Sequence, residues 1–187
     1  IIVAAMSEVV GFDIDINVVT PEERKRVSPS ANLPKTEPVV EQSIEQITSS
    51  FAHPEFTFEN FIVGDSNRHA HAACMAVAKN PSGAYNPLFI HGPTGLGKTH
   101  LLYAIQNEIK KSHPEKTSLY VRSEDFINEL VESMKQHTMT EFKNKYRSLD
   151  LFMVDDIQFI AGKDSTQVEF FHTFETLFAD NKQIILV

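Results

Sequence analysis

Eight consecutive residues, Gly92-Pro93-Thr94-Gly95-Leu96-Gly97-Lys98-Thr99, carry the most readily named chemistry in this chain. Gly92, Gly97, Lys98 and Thr99 fill every fixed position of G-x-x-x-x-G-K-[ST], with Thr94 and Gly95 inside the loop. Glycines let successive backbone N–H groups converge on phosphate oxygens at a helix N-terminus. A lysine at position 98 can reach the β- and γ-phosphates, and the Thr99 hydroxyl can ligate Mg²⁺. The residues alone therefore point to a nucleoside triphosphate.

A second set is acidic. The apolar run Leu151-Phe152-Met153-Val154 ends in Asp155-Asp156. Carboxylates at the C-terminal end of a buried parallel strand stand where open α/β sheets hold ligands. Asp155 is the expected outer partner of Mg²⁺. Asp156 is the candidate catalytic residue, placed either to polarise the attacking water or only to orient its neighbours.

These residues need strands and helices around them, and the chain supplies an alternating pattern from about residue 54. Strands are expected at Leu88–Ile90, Ser118–Val121, Leu149–Val154 and Gln183–Val187. Helices are expected near Thr99–Lys111, Glu124–Gln136, Glu141–Tyr146 and Val168–Ala179, after a small-residue helix through Ala70, Ala73, Cys74, Val77 and Ala78. Asp65 or Ser66, Ser123, Thr138 and Thr166 are the expected caps, the last two within capping boxes closed by Glu141 and Glu169. A plain crossover between parallel strands needs only about a dozen residues. The stretch from Arg122 to Ser148 is more than twice that and reads as an inserted second helix.

Upstream, residues 1–20 resemble the tail of a small α+β domain, with Phe12 to Val18 alternating like a half-exposed strand. Residues 21–53 hold Pro21, Pro29, Pro34 and Pro38 among polar side chains and read as a disordered linker. Both ends are expected to continue in a longer protein. Hydrophobic residues make up 42% of the 187, enough for a sizeable core. A single cysteine, Cys74, excludes an internal disulfide and suits a reducing, cytoplasmic setting. A net charge of −8 excludes a broadly basic nucleic-acid surface, so any DNA contact must be local.

Other polar residues invite readings of their own. His69 and His71 stand two apart in a helix, face different ways and are expected as solvated or core-edge residues rather than metal ligands. His100 is expected to be structural, and Cys74 a buried filler. Lys143, Lys145 and Arg147, with Tyr146 between them, form either a solvated face or a track for a nucleic-acid backbone. On the helix near Glu124–Gln136, Phe126, Ile127, Leu130 and Met134 make one apolar stripe, with Val131 at its edge.

The combination of Phe56-Thr57-Phe58-Glu59-Asn60-Phe61-Ile62-Val63-Gly64, Asn67-Arg68, the glycine loop followed by His100, Asp155-Asp156-Ile157-Gln158-Phe159 and Phe170-Phe171-His172-Thr173-Phe174 strongly resembles the DnaA family of bacterial replication initiators. The resemblance covers the whole chain. It implies an α/β P-loop NTPase of the AAA+ class, with a parallel sheet and flanking helices over 54–187. It also implies an ATP-controlled initiator that melts the chromosomal origin, with ATP and Mg²⁺ as cofactors and ATP acting as a slowly hydrolysed switch. Val63 and Gly64 would lie near the adenine, and Val131 and Lys163 would face single-stranded DNA. Some family members carry a second basic residue where Ser165 stands here. Implied partners are origin DNA (double-stranded through a further C-terminal domain, single-stranded through this one), further copies of the chain on ATP binding, the replicative helicase and acidic phospholipids. An arginine finger would come from beyond Val187, so these residues alone are expected to show no ATPase activity. A helicase-loading ATPase would share the loop and the acid pair. A nucleotide kinase would need acceptor-binding arginines and a lid that the chain does not display.

Overall fold

A computed structural model describes residues 53–83 and 85–187. The expected tail at 1–20 and nearly all of the linker at 21–53 lie outside the described residues. Helix α1 (Arg68–Lys79) precedes β1 (Leu88–Phe89), α2 (Lys98–Ser112) and β2 (Ser118–Arg122). Then come α3 (Ser123–Lys135), α4 (Met139–Arg147), β3 (Leu151–Asp155), a 3₁₀ turn (Ile157–Ile160), α5 (Asp164–Ala179) and β4 (Gln183–Leu186). The four strands form one sheet in the order β1-β4-β3-β2, with every pairing parallel.

Strand alternation divides the core between the two faces. Leu151 and Met153 pack with Cys74 and Val77 of α1 and Leu101, Leu102 and Ile105 of α2. Phe152 and Val154 face Phe126, Leu130, Phe142, Tyr146, Phe170 and Leu177 from α3, α4 and α5. Phe126 has no exposed surface, and its ring meets Phe142, Tyr146 and Phe170 edge-on at 5.2, 4.9 and 5.7 Å. Such geometry adds about 0.5–1.5 kcal/mol per pair to the area buried.

The N-terminal rim of the sheet is tied by Asp150. Its carboxylate accepts from Thr117 N at 2.9 Å, Thr117 Oγ1 at 3.0 Å and Lys182 Nζ at 2.7 Å. The loops leading into β2, β3 and β4 therefore share one anion. Burial works against its ionisation, but the bonds from Lys182 and Thr117 outweigh burial and hold the carboxyl below its usual range.

Several local expectations change in the folded chain. The third strand begins at Leu151 rather than Leu149, where the Asp150 and Leu151 N–H groups both donate to Thr117 O. Neither Asp65 nor Ser66 caps α1. Asn67 holds that position, and its side chain turns backward, accepting from Gly64 N and donating to Ile62 O. Ser123 is the first residue of α3 and donates instead to Asp156 O at 2.6 Å. Thr138 stands at the α4 N-cap without a capping bond, and Thr166 lies buried inside α5. A tertiary partner takes the Ser123 hydroxyl, and burial takes Thr166, away from a cap. The α3 stripe is buried where α4 crosses it, but Met134 in its last turn is 43% exposed.

The insertion is held by ions. Lys145 Nζ reaches both Glu129 oxygens at 2.6 and 2.7 Å, and the Tyr146 hydroxyl donates to Glu129 at 2.8 Å. Arg147 donates to Glu169 at 2.7 Å, with Lys143 3.6 Å from the same carboxylate. Lys143, Lys145 and Arg147 thus form neither a free solvated face nor an open phosphate track. They bind α4 to α3 and α5.

Candidate nucleotide-binding site

The glycine loop leads from β1 into α2. Gly95 and Gly97 have φ of 84° and 83°, a left-handed region that side-chain-bearing residues rarely adopt. The 15-residue α2 has no acidic side chain in its first turn, so the positive end of its dipole stays uncompensated. Lys98 Nζ donates to Gly92 O at 3.0 Å and Pro93 O at 3.2 Å, which curls the ammonium over the loop that precedes it. A bent loop, a bare helix end and an enclosed cation together make an anion cradle.

The acid pair meets this cradle through one short bond. Thr99 Oγ1 donates to Asp155 Oδ2 at 2.7 Å, joining the first turn of α2 to the C-terminal end of β3. Asp155 is only 5% exposed, and its other oxygen accepts from Asp156 N at 3.0 Å. A hydroxyl and a carboxylate so placed are a hard-oxygen pair that fits Mg²⁺. Asp156 adopts a left-handed φ of 57°, which swings its side chain out of the strand direction. Its Oδ1 accepts from Gln158 at 3.1 Å and its backbone oxygen from Ser123. The loop, Lys98, Thr99, Asp155 and Asp156 therefore stand at or after the carboxyl ends of β1 and β3, joined by the Thr99–Asp155 bond.

Val63 and Gly64 are placed by their neighbour. A Cβ on Gly97 would lie 2.7 Å from Phe61 Cε2, so Phe61 rests directly on the loop. The Phe61 ring also stacks on His71 at 5.6 Å and meets His100 edge-on at 5.3 Å. Ile62, Val63 and, within the loop, Leu96 are exposed apolar side chains. His71 is thus a core-edge residue. His100 has a structural contact, its Nε2 lying 2.8 Å from Thr57 O. Cys74 has no exposed surface, and burial pushes its thiol up to about 12.

Val131 on α3 is 41% exposed. Lys163 precedes α5, and its ammonium folds back onto Phe159 O at 2.8 Å, in the 3₁₀ turn that packs against α3. Sequence reasoning passed over Tyr120, whose hydroxyl donates to Asp155 Oδ2 at 3.1 Å. Its one signal was a phenol between the apolar Leu119 and Val121 of a short strand. Among the described residues no helix is long and apolar enough to cross a membrane.

The sequence model of the bacterial DnaA ATPase domain matches residues 52–187. The chain belongs to the DnaA family. It is 48% identical over 186 residues to the chromosomal replication initiator protein DnaA of Caldanaerobacter subterraneus subsp. tengcongensis, covering all of this chain and 41% of that relative. It therefore spans less than half the length of the DnaA proteins it matches. Domain III of the Thermotoga maritima replication initiation protein DnaA superposes with a TM-score of 0.71 at 47% identity, covering 73% of this chain and 57% of that one. A replication initiator DnaA bound to AMPPCP and single-stranded DNA superposes at 0.70, also 47% identical, over 73% and 42%. The parallel sheet and flanking helices are thus the AAA+ architecture of DnaA domain III.

Proposed function

We propose that this chain is the nucleotide-switching part of a cytoplasmic replication initiator that assembles on the chromosomal origin, melts it and helps recruit the replicative helicase. The observation that carries the reading is the 2.7 Å bond between Thr99 and Asp155, which couples the anion cradle to the acid strand. ATP enters with its phosphates on Gly92, Thr94, Gly95, Gly97 and Lys98. Mg²⁺ is held by the Thr99 hydroxyl with Asp155 behind it, and the base lies by Val63 and Gly64. Held there, a divalent cation would supply charge neutralisation at the phosphates.

Asp156 orients the attacking water. Aspartate is one methylene shorter than glutamate, and misplacement of about 1 Å can lower a rate roughly 100-fold. Slow turnover suits a switch whose ATP state must persist. Partners of the full-length protein are duplex origin DNA, further ATP-bound copies, the helicase and acidic phospholipids. Single-stranded DNA lies on Val131 and Lys163, an exposed apolar side chain offering a base contact and an ammonium offering a phosphate contact.

The experiment pairs two titrations of the full-length protein. Thr99→Ala weakens Mg²⁺-ATP binding in calorimetry. Val131→Ala and Lys163→Ala keep ATP affinity but lower retention of a single-stranded oligonucleotide on filters. Unchanged ATP binding in Thr99→Ala refutes the switch site. Normal oligonucleotide retention by both other variants refutes the DNA surface.

A further inference from the structure

Asp155 Oδ2 accepts two side-chain donors rather than one. Thr99 Oγ1 lies 2.7 Å away and Tyr120 OH 3.1 Å away, while Oδ1 receives Asp156 N at 3.0 Å. The Tyr120 donor comes from β2, and Arg122 of that strand is in register with Asp155 of β3. Tyr120 is therefore two residues back along the strand and reaches forward along the sheet surface to the carboxylate. Its ring packs at 4.7 Å against Tyr103 of α2, the helix that also carries Thr99. Tyr120 and Thr99 both border a cavity of about 600 Å³ running beside β2.

We propose that Tyr120 is a positioning residue for the cation site, fixing the carboxylate of Asp155 so that Thr99 and Asp155 present one preset pair of oxygens. The proposal rests on the Mg²⁺ reading given above. An aspartate side chain has two soft torsions: the Asp156 N–H on Oδ1 limits the turn of the carboxylate, and donors from two different elements, α2 and β2, fix where Oδ2 sits. The phenol suits the task because its O–H donates to the carboxylate while its ring is packed against Tyr103. Tyr120 touches no reacting atom. Its effect passes through Asp155.

The test is Tyr120→Phe in the full-length protein, which deletes one oxygen and keeps the ring against Tyr103. Nucleotide binding is measured by calorimetry in EDTA and then across a Mg²⁺ titration. The expected result is unchanged affinity in EDTA and a Mg²⁺ midpoint raised about tenfold, since outer partners of metal-holding groups typically account for 10- to 100-fold in metal affinity. Tyr146→Phe, which removes a buried phenol bonded to Glu129 rather than to Asp155, keeps the wild-type midpoint. A Tyr120→Phe midpoint equal to wild type overturns the proposal, as does an equal shift in both variants, which marks general loosening. A wild-type protein whose nucleotide binding ignores Mg²⁺ overturns the cation site itself and this inference with it.

Discussion

Phe61 occupies the space that a side chain on Gly97 would need: a Cβ there would stand 2.7 Å from Phe61 Cε2 and 3.5 Å from Cζ. The contact joins the segment bearing Val63 and Gly64 to the last glycine before Lys98. It also explains why two unrelated demands converge on position 97. The backbone needs a left-handed φ of 83°, and the aromatic ring needs a neighbour without a side chain.

Gly97→Ala is therefore expected to lower stability by roughly 1–3 kcal/mol, combining left-handed strain with displacement of Phe61. Urea unfolding measures the loss, and nucleotide affinity should fall with it. A variant as stable as wild type, with unchanged affinity, would show that the loop re-forms around the methyl group.

Lys98→Ala removes the one ammonium enclosed by the loop, where Gly92 O and Pro93 O hold it at 3.0 and 3.2 Å. Charge-assisted contacts to phosphate are about twice as strong as neutral ones. ATP binding measured by calorimetry with Mg²⁺ present is expected to weaken at least tenfold, about 1.4 kcal/mol or more. Retained affinity would remove the lysine from the cradle.

Glu129→Ala tests the ionic clamp on α4. The substitution leaves Lys145, with a side chain 17% exposed, and the fully buried Tyr146 hydroxyl without their acceptor. Unpaired groups of this kind cost about 1–3 kcal/mol each, so a loss of at least about 2 kcal/mol in chemical denaturation is expected. A loss below about 0.5 kcal/mol would class the pair with ordinary surface ion pairs.

Asp150 sets an acid limit. Its folded pKa lies below its ordinary value of 3.8, so its contribution is fully present above that value and is lost as the pH falls through the folded pKa. Thermal unfolding of Asp150→Asn between pH 7 and pH 2 should show a lower midpoint than wild type at neutral pH, with the two curves converging below about pH 4. A constant gap across that range would mean that the charge of Asp150 is not what Lys182 and Thr117 hold.

The alternation of strands and helices was legible from residue types because apolar periodicity is local. Leu151 to Val154 is continuously apolar since both faces of β3 are covered. The glycine loop was legible for a related reason. Its backbone geometry depends on the absence of a Cβ at positions 95 and 97, which the sequence states outright. What pairs with what was decided only by the tertiary fold. The sheet order β1-β4-β3-β2 carries α2 across one face, and parallel strands bring the end of β3 level with the first turn of that helix. Thr99 therefore meets Asp155 although the two are 56 residues apart. The same long-range choice drew Ser123 away from its cap to Asp156 and sent Tyr120 to Asp155. It also turned the basic run of α4 inward onto Glu129 and Glu169. A polar side chain takes the best partner within reach, and for these residues that partner is brought near only by the packing of distant elements.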